Sequence, residues 1–145
     1  MISLLQRVSC GSVCIEGDTI AEIARGILVL VAVQPNDGEQ SAARMAERIL
    51  GYRIFSNNEG RMNLSVMDVK GEVLLVPQFT LAADTTQGMR PSFTRAAQPD
   101  IASSLFKYLY AEIQRRYQKL SCGKFGAYMQ VKSVNEGPVT FILTV

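Results

Sequence analysis

The sequence predicts an α+β fold in a single domain spanning residues 1–145: a mainly antiparallel β-sheet or barrel with two helices packed to one side. Three observations predict it. Short β-branched runs with alternating polarity fill both ends of the chain. Only two stretches carry the i, i+3, i+4, i+7 apolar spacing of a helix. The elements run strands, helix, strands, helix, strands without strict βαβ alternation, so a doubly wound sheet is not expected.

Met1 to Val8 is an apolar run, and Ser12 to Glu16 alternates. Gly17-Asp18 marks a turn, and Thr19 to Ile23 alternates again. Gly26 opens Ile27 to Val33, a β-branched run that reads as a buried central strand. Pro35-Asn36-Asp37-Gly38 breaks it. A first helix follows, with Ala42, Met45, Ala46 and Ile49 on one face. Asn57-Asn58-Glu59-Gly60 reads as a tight hairpin turn. Val73 to Val76 is a second buried strand that runs into Pro77-Gln78-Phe79-Thr80-Leu81. Pro99-Asp100 opens a second helix with Ala102, Leu105, Phe106, Leu109 and Ile113 as its apolar stripe. At the end, Tyr128 to Val134 and Val139 to Val145 read as two strands about a turn at Asn135-Glu136-Gly137-Pro138.

Composition narrows the chemistry. The 145 residues are 48% hydrophobic and 19% charged, which fits a folded core rather than a disordered chain. A net charge of +2 does not announce nucleic acid, although a local basic patch can serve a transient RNA partner. No apolar run has the roughly 20 residues of a membrane span, and the N-terminus lacks a signal-peptide pattern, so a cytoplasmic protein is expected. Histidine is absent. Ser-His-Asp and Cys-His catalysis and histidine metal sites are therefore excluded. Cys10, Cys14 and Cys122 read as reduced thiols, and no metal or cofactor is expected.

Two segments stand out. Pro77-Gln78-Phe79-Thr80-Leu81 follows a buried strand, and a proline lacks the N–H for ladder pairing. The amides beyond it are free to face a ligand, with Gln78 and Thr80 adding polar side chains. Taken alone it is a weak signal, because a strand end with polar residues is usually just a strand end. Asn135-Glu136-Gly137-Pro138-Val139-Thr140 holds a Gly-Pro pair that reads as a plain turn, with a cis bond as the alternative.

Together the two segments resemble the paired motifs of the D-aminoacyl-tRNA deacylase family, Ser-Gln-Phe-Thr-Leu and Asn-x-Gly-Pro-Val-Thr. Ordered anchors extend the resemblance along the chain. They are Gln6-Arg7-Val8, Gly51-Tyr52-Arg53-Ile54-Phe55, Met62-Asn63-Leu64, Gly88-Met89-Arg90-Pro91-Ser92-Phe93 and Met129-Gln130-Val131. One departure is Pro77 where the family has serine, which removes any role for that hydroxyl. Proline here also resembles an animal branch with looser chiral selection, whereas Phe79 and Gly137-Pro138-Val139-Thr140 match the D-selective branch.

The resemblance implies hydrolysis of the ester between a D-amino acid and the terminal adenosine of tRNA, assisted by the neighbouring ribose hydroxyl. It implies that Gln78 and the backbone amides of Phe79 and Thr80 face the carbonyl, with Thr80 as hydroxyl nucleophile the alternative. Gly137 and Pro138, a cis pair in the family, become the chiral filter, reaching the site of a partner subunit in a homodimer. Phe125 and Met129 resemble adenosine-binding positions, and Arg7 supports the interface. Arg90, Arg95, Lys107, Arg115 and Arg116 are open to phosphate contact or to plain solvation. The expected partners are aminoacylated tRNA and a second copy, with neither membrane nor DNA. Two other readings stay open: a nucleic-acid-binding module that keeps the fold without the activity, and a small-molecule D-amino-acid esterase.

Overall fold

The computed structural model describes residues 1–86 and 88–145. Among these described residues eight strands and two α-helices follow in order, with a short 3₁₀ helix at Phe79–Ala82. The strands are β1 (Ile2–Ile15), β2 (Asp18–Ile23), β3 (Gly26–Ala32), β4 (Phe55–Ser56), β5 (Met62–Leu64), β6 (Glu72–Pro77), β7 (Leu120–Cys122) and β8 (Gln130–Thr144). The helices are α1 (Glu39–Gly51) and α2 (Pro99–Arg116).

β1 organises the main sheet. Its first half pairs with β3 and its second half with β2, while β8 follows it along nearly its whole length. All three pairings are antiparallel. The β3–β6 and β6–β7 pairings are parallel, so the sheet is mixed, in the order β2-β1-β3-β6-β7. The Ser121 hydroxyl donates to the Glu22 carbonyl at 3.4 Å, linking β7 back to β2 and nearly closing a barrel. β4 and β5 form the separate hairpin around the Asn57–Gly60 turn.

Strand alternation divides the core in two. Ile27, Val29 and Val31 of β3, with Val73 and Leu75 of β6, face the helices. Leu28 of β3, with Leu74 and Val76 of β6, faces the curled interior beside Val8, Val13 and Ile23. Both helices lie on the first face and supply the apolar stripes expected of them, Ala42, Met45, Ala46 and Ile49 from α1 and Leu105, Leu109 and Ile113 from α2. Each large aliphatic side chain buried there contributes about 1.5–3 kcal/mol. No helix among the described residues is long and apolar enough to cross a membrane.

Two local expectations are corrected, and one strand had not been expected. Met1–Val8 and Ser12–Glu16 belong to one strand, because β8 pairs with both. β7 lacks a legible strand pattern, since its three residues are all only half-buried. The Asn135–Pro138 segment is not a turn between two strands but an irregularity inside β8. Gln6 faces Thr140 whereas Val8 faces Asn135, so the residues between are accommodated as a bulge against β1. The Asn135 side chain closes that bulge by accepting the Val139 amide at 2.7 Å and donating to the Thr140 hydroxyl at 2.9 Å.

Candidate active site

β6 ends at Pro77, which still faces Val31 of β3 in the ladder. The next amide, that of Gln78, donates to the Val31 carbonyl at 2.7 Å. The proline therefore does not end the pairing; Gln78 does. The chain then enters the 3₁₀ helix, whose first internal bond runs from the Leu81 amide to the Gln78 carbonyl at 3.2 Å. The Phe79 and Thr80 amides precede it and receive no acceptor from the helix. The Gln78 side-chain amide donates to the Thr80 hydroxyl, so that hydroxyl is held by an amide rather than by a base.

These residues border a cleft of about 460 Å³, a volume suited to one small-molecule-sized ligand. Val76, Pro77, Gln78 and Phe79 form one wall, Phe125 and Met129 form the other, and the exposed Tyr128 stands at its edge. Phe125 is half-buried and leans on Phe106 of α2, with ring centroids 6.2 Å apart. The Met129 sulfur accepts the Lys124 amide at 3.3 Å. It also lies against Gly123, where an added Cβ would sit 2.9 Å from that sulfur. Gly123 thus backs the Met129 side chain, a placement whose one sequence signal is the Gly123/Gly126 pair flanking Phe125. Burial pushes the neighbouring Cys122 thiol above its ordinary range, which keeps it protonated near neutral pH.

The structure gathers Gln78, Phe79, Phe125 and Met129 around one cleft, with Thr80 next in sequence beyond its wall. Gly137, Pro138 and Arg7 do not line it. They form a separate cluster on β1 and β8. Arg7 donates from Nε to the Glu136 carbonyl and from an Nη to the Ile54 carbonyl, both at 3.0 Å. Its Nε also lies 3.7 Å from the Glu136 carboxylate. The Gly137–Pro138 peptide bond is cis, and both residues are exposed. Gly137 has φ +131°, a conformation that favours glycine, and an added Cβ would meet the Arg7 guanidinium at 2.9 Å.

Of the candidate phosphate-contacting cations, three are already paired. Arg95 meets Asp84 at 3.2 Å, and Arg115 and Arg116 both meet Glu112 at 2.9 Å. Arg90 and Lys107 make no ion pair among the described residues. Hydrogen bonds from the Thr86 hydroxyl and amide, and less strongly the charge of Arg95, hold the Asp84 carboxyl below its ordinary range.

A curled sheet with an apolar, aromatic-walled cleft at the end of a strand describes a protein that binds a small ligand or the end of a larger one. Comparison with known proteins is decisive about which. Residues 4–144 match the model of the D-Tyr-tRNA(Tyr) deacylase family, and the chain belongs to that family. It is 50% identical over 145 residues to the D-aminoacyl-tRNA deacylase of Nitrosococcus oceani, covering all of this chain and 94% of that one. It is 52% identical to the Escherichia coli D-aminoacyl-tRNA deacylase over the full length of both. Among solved structures, one described as the c-Myc DNA unwinding element binding protein superposes with a TM-score of 0.96. That structure is 36% identical and covers 100% of this chain and 99% of its own. A probable eukaryotic D-amino acid tRNA deacylase shares the fold at a TM-score of 0.84 and 16% identity, covering 98% of this chain and 97% of its own. The activity is accordingly that of a D-aminoacyl-tRNA deacylase, a carboxylic ester hydrolase.

Proposed function

We propose that the cleft binds the terminal aminoacyl-adenosine of tRNA and hydrolyses its ester without a protein base. The Phe79 and Thr80 amides, with Gln78 beside them, face the carbonyl oxygen and stabilise the charge that develops there. Phe125 and Met129 hold the adenine. Water adds to the carbonyl carbon, the ester C–O bond breaks, and the ribose oxygen leaves with a proton. The neighbouring ribose hydroxyl orients that water, which answers the absence of histidine from the chain.

Gly137 and Pro138 act as the chiral filter by excluding an L side chain and leaving room for a hydrogen. Many D-amino acids then pass, and so does glycine, which has no side chain to exclude. The observation that carries this reading is a separation: the cleft collects Gln78, Phe79, Phe125 and Met129 but not the Gly-Pro pair. A filter so placed serves the cleft of a second copy, so the working form is a homodimer with Arg7 bracing the filter from behind. The β8 surface supports this, with Val134 and Ile142 exposed. The setting is the cytoplasm, and the substrate is aminoacylated tRNA rather than DNA.

Removal of the neighbouring ribose hydroxyl tests the chemistry. D-Tyr-tRNA ending in the deoxy adenosine is expected to lose about 10²-fold or more in kcat while still binding. An undiminished rate would mean that a protein group activates the water. A second reading, a nucleic-acid-binding module without activity, is favoured by the name of the 36% identical neighbour and by Pro77. It predicts binding without turnover of either tRNA ester.

A further inference from the structure

We propose that Tyr128 is a stacking platform for the nucleobase that precedes the terminal adenosine, an inference that rests on the tRNA-ester reading above. Tyr128 lines the cleft yet is 92% exposed, so it stands at the mouth rather than on the floor. Its two companions are anchored. Phe125 leans on Phe106, and Met129 packs against Gly123. The cleft's other exposed ring, Phe79, leans on Phe93 with centroids 5.1 Å apart. Tyr128 has no ring partner among the described residues.

The backbone presents it this way. The Ala127 amide donates to the Lys124 carbonyl at 3.3 Å, and Gly126 takes φ +76°, which closes a turn immediately before Tyr128. Lys124 in the same turn is exposed and makes no ion pair among the described residues. One turn thus offers an exposed aromatic ring and a cation, the two groups that single-stranded nucleic acid uses, with the base on the ring and phosphate on the charge. The cleft has room for one nucleoside and its acyl group, so the next nucleotide of a bound strand lies outside it, at the rim, and Tyr128 is the exposed rim ring without an aromatic partner among the described residues.

The test compares two esters that differ only beyond the terminal nucleoside, D-Tyr-tRNA and D-tyrosyl-adenosine. Y128A is expected to raise KM for the tRNA about tenfold, from loss of one stacked base, with kcat retained. The nucleoside ester is expected to be turned over as by the wild-type protein, and Y128F to behave as wild type on both. Equal losses on both esters, or no loss on the tRNA, would overturn the proposal. So would a change in oligomeric state on Y128A, which would assign the ring to a subunit contact. Failure of the wild-type protein on both esters would instead remove the deacylase reading beneath it.

Discussion

Replacing Phe79 with proline lowers kcat on D-Tyr-tRNA about 10²–10³-fold relative to F79A, the cost of one lost oxyanion donor. Both variants remove the ring that leans on Phe93, so their difference isolates the backbone N–H. Proline suits the position, because Phe79 is the first residue of the 3₁₀ helix and Gln78 before it is non-helical, at φ −146° and ψ 75°. The companion variant T80A separates the two roles open to Thr80. If the backbone amide acts, T80A loses only the bond from the Gln78 side chain and retains most of its rate. If the hydroxyl is the nucleophile, T80A is inactive. Single-turnover rates on the three variants decide between them. Equal rates for F79P and F79A would remove the Phe79 amide from the chemistry.

Gly137→Ala lowers stability by about 1–3 kcal/mol, the cost of holding a non-glycine residue in a sparsely populated backbone region. The φ of +131° sets that strain. The added methyl also meets the Arg7 guanidinium and the Val139 side chain, and Arg7 can yield only by giving up its bonds to the Glu136 and Ile54 carbonyls. Thermal unfolding reads the loss as a midpoint several degrees lower. A filter role adds a second effect that strain in the fold does not produce: the ratio of D to L ester hydrolysis falls. An unchanged ratio with a lowered midpoint would leave Gly137 a structural residue only.

Much of this architecture was legible in the sequence because period and burial agree. Ile27–Val33 and Val73–Val76 are continuous apolar runs because both faces of those strands are covered, one by the helices and one by the curled sheet. The stripes of α1 and α2 point where their spacing says they should. The bulge in β8 was hidden because Asn-Glu-Gly-Pro has turn composition, and only pairing with β1 on both sides reveals a continuous strand. The parallel β3–β6 and β6–β7 pairings were hidden too, since strand direction is set by long connections through the helices rather than by local pattern.

The candidate site was legible only in pieces. Pro77 to Leu81 announced a polar strand end, but nothing local brings Phe125 and Met129 across to it. Their placement opposite follows from the β6–β7 pairing, which lays β7 alongside β6. Tyr128 carried no signal beyond one more aromatic in an apolar segment, and only its exposure at the cleft mouth distinguishes it.

The most direct test of the central claim, selective hydrolysis of D esters by exclusion of L side chains, is a matched pair of substrates. D-Tyr-tRNA and L-Tyr-tRNA are incubated with the purified protein in buffer containing a chelator, and ester loss is followed over time. Rapid loss of the D ester with the L ester intact is the expected result. Equal loss of both would contradict the filter assigned to Gly137 and Pro138 and turn attention to Pro77, while loss of neither would contradict the deacylase mechanism itself.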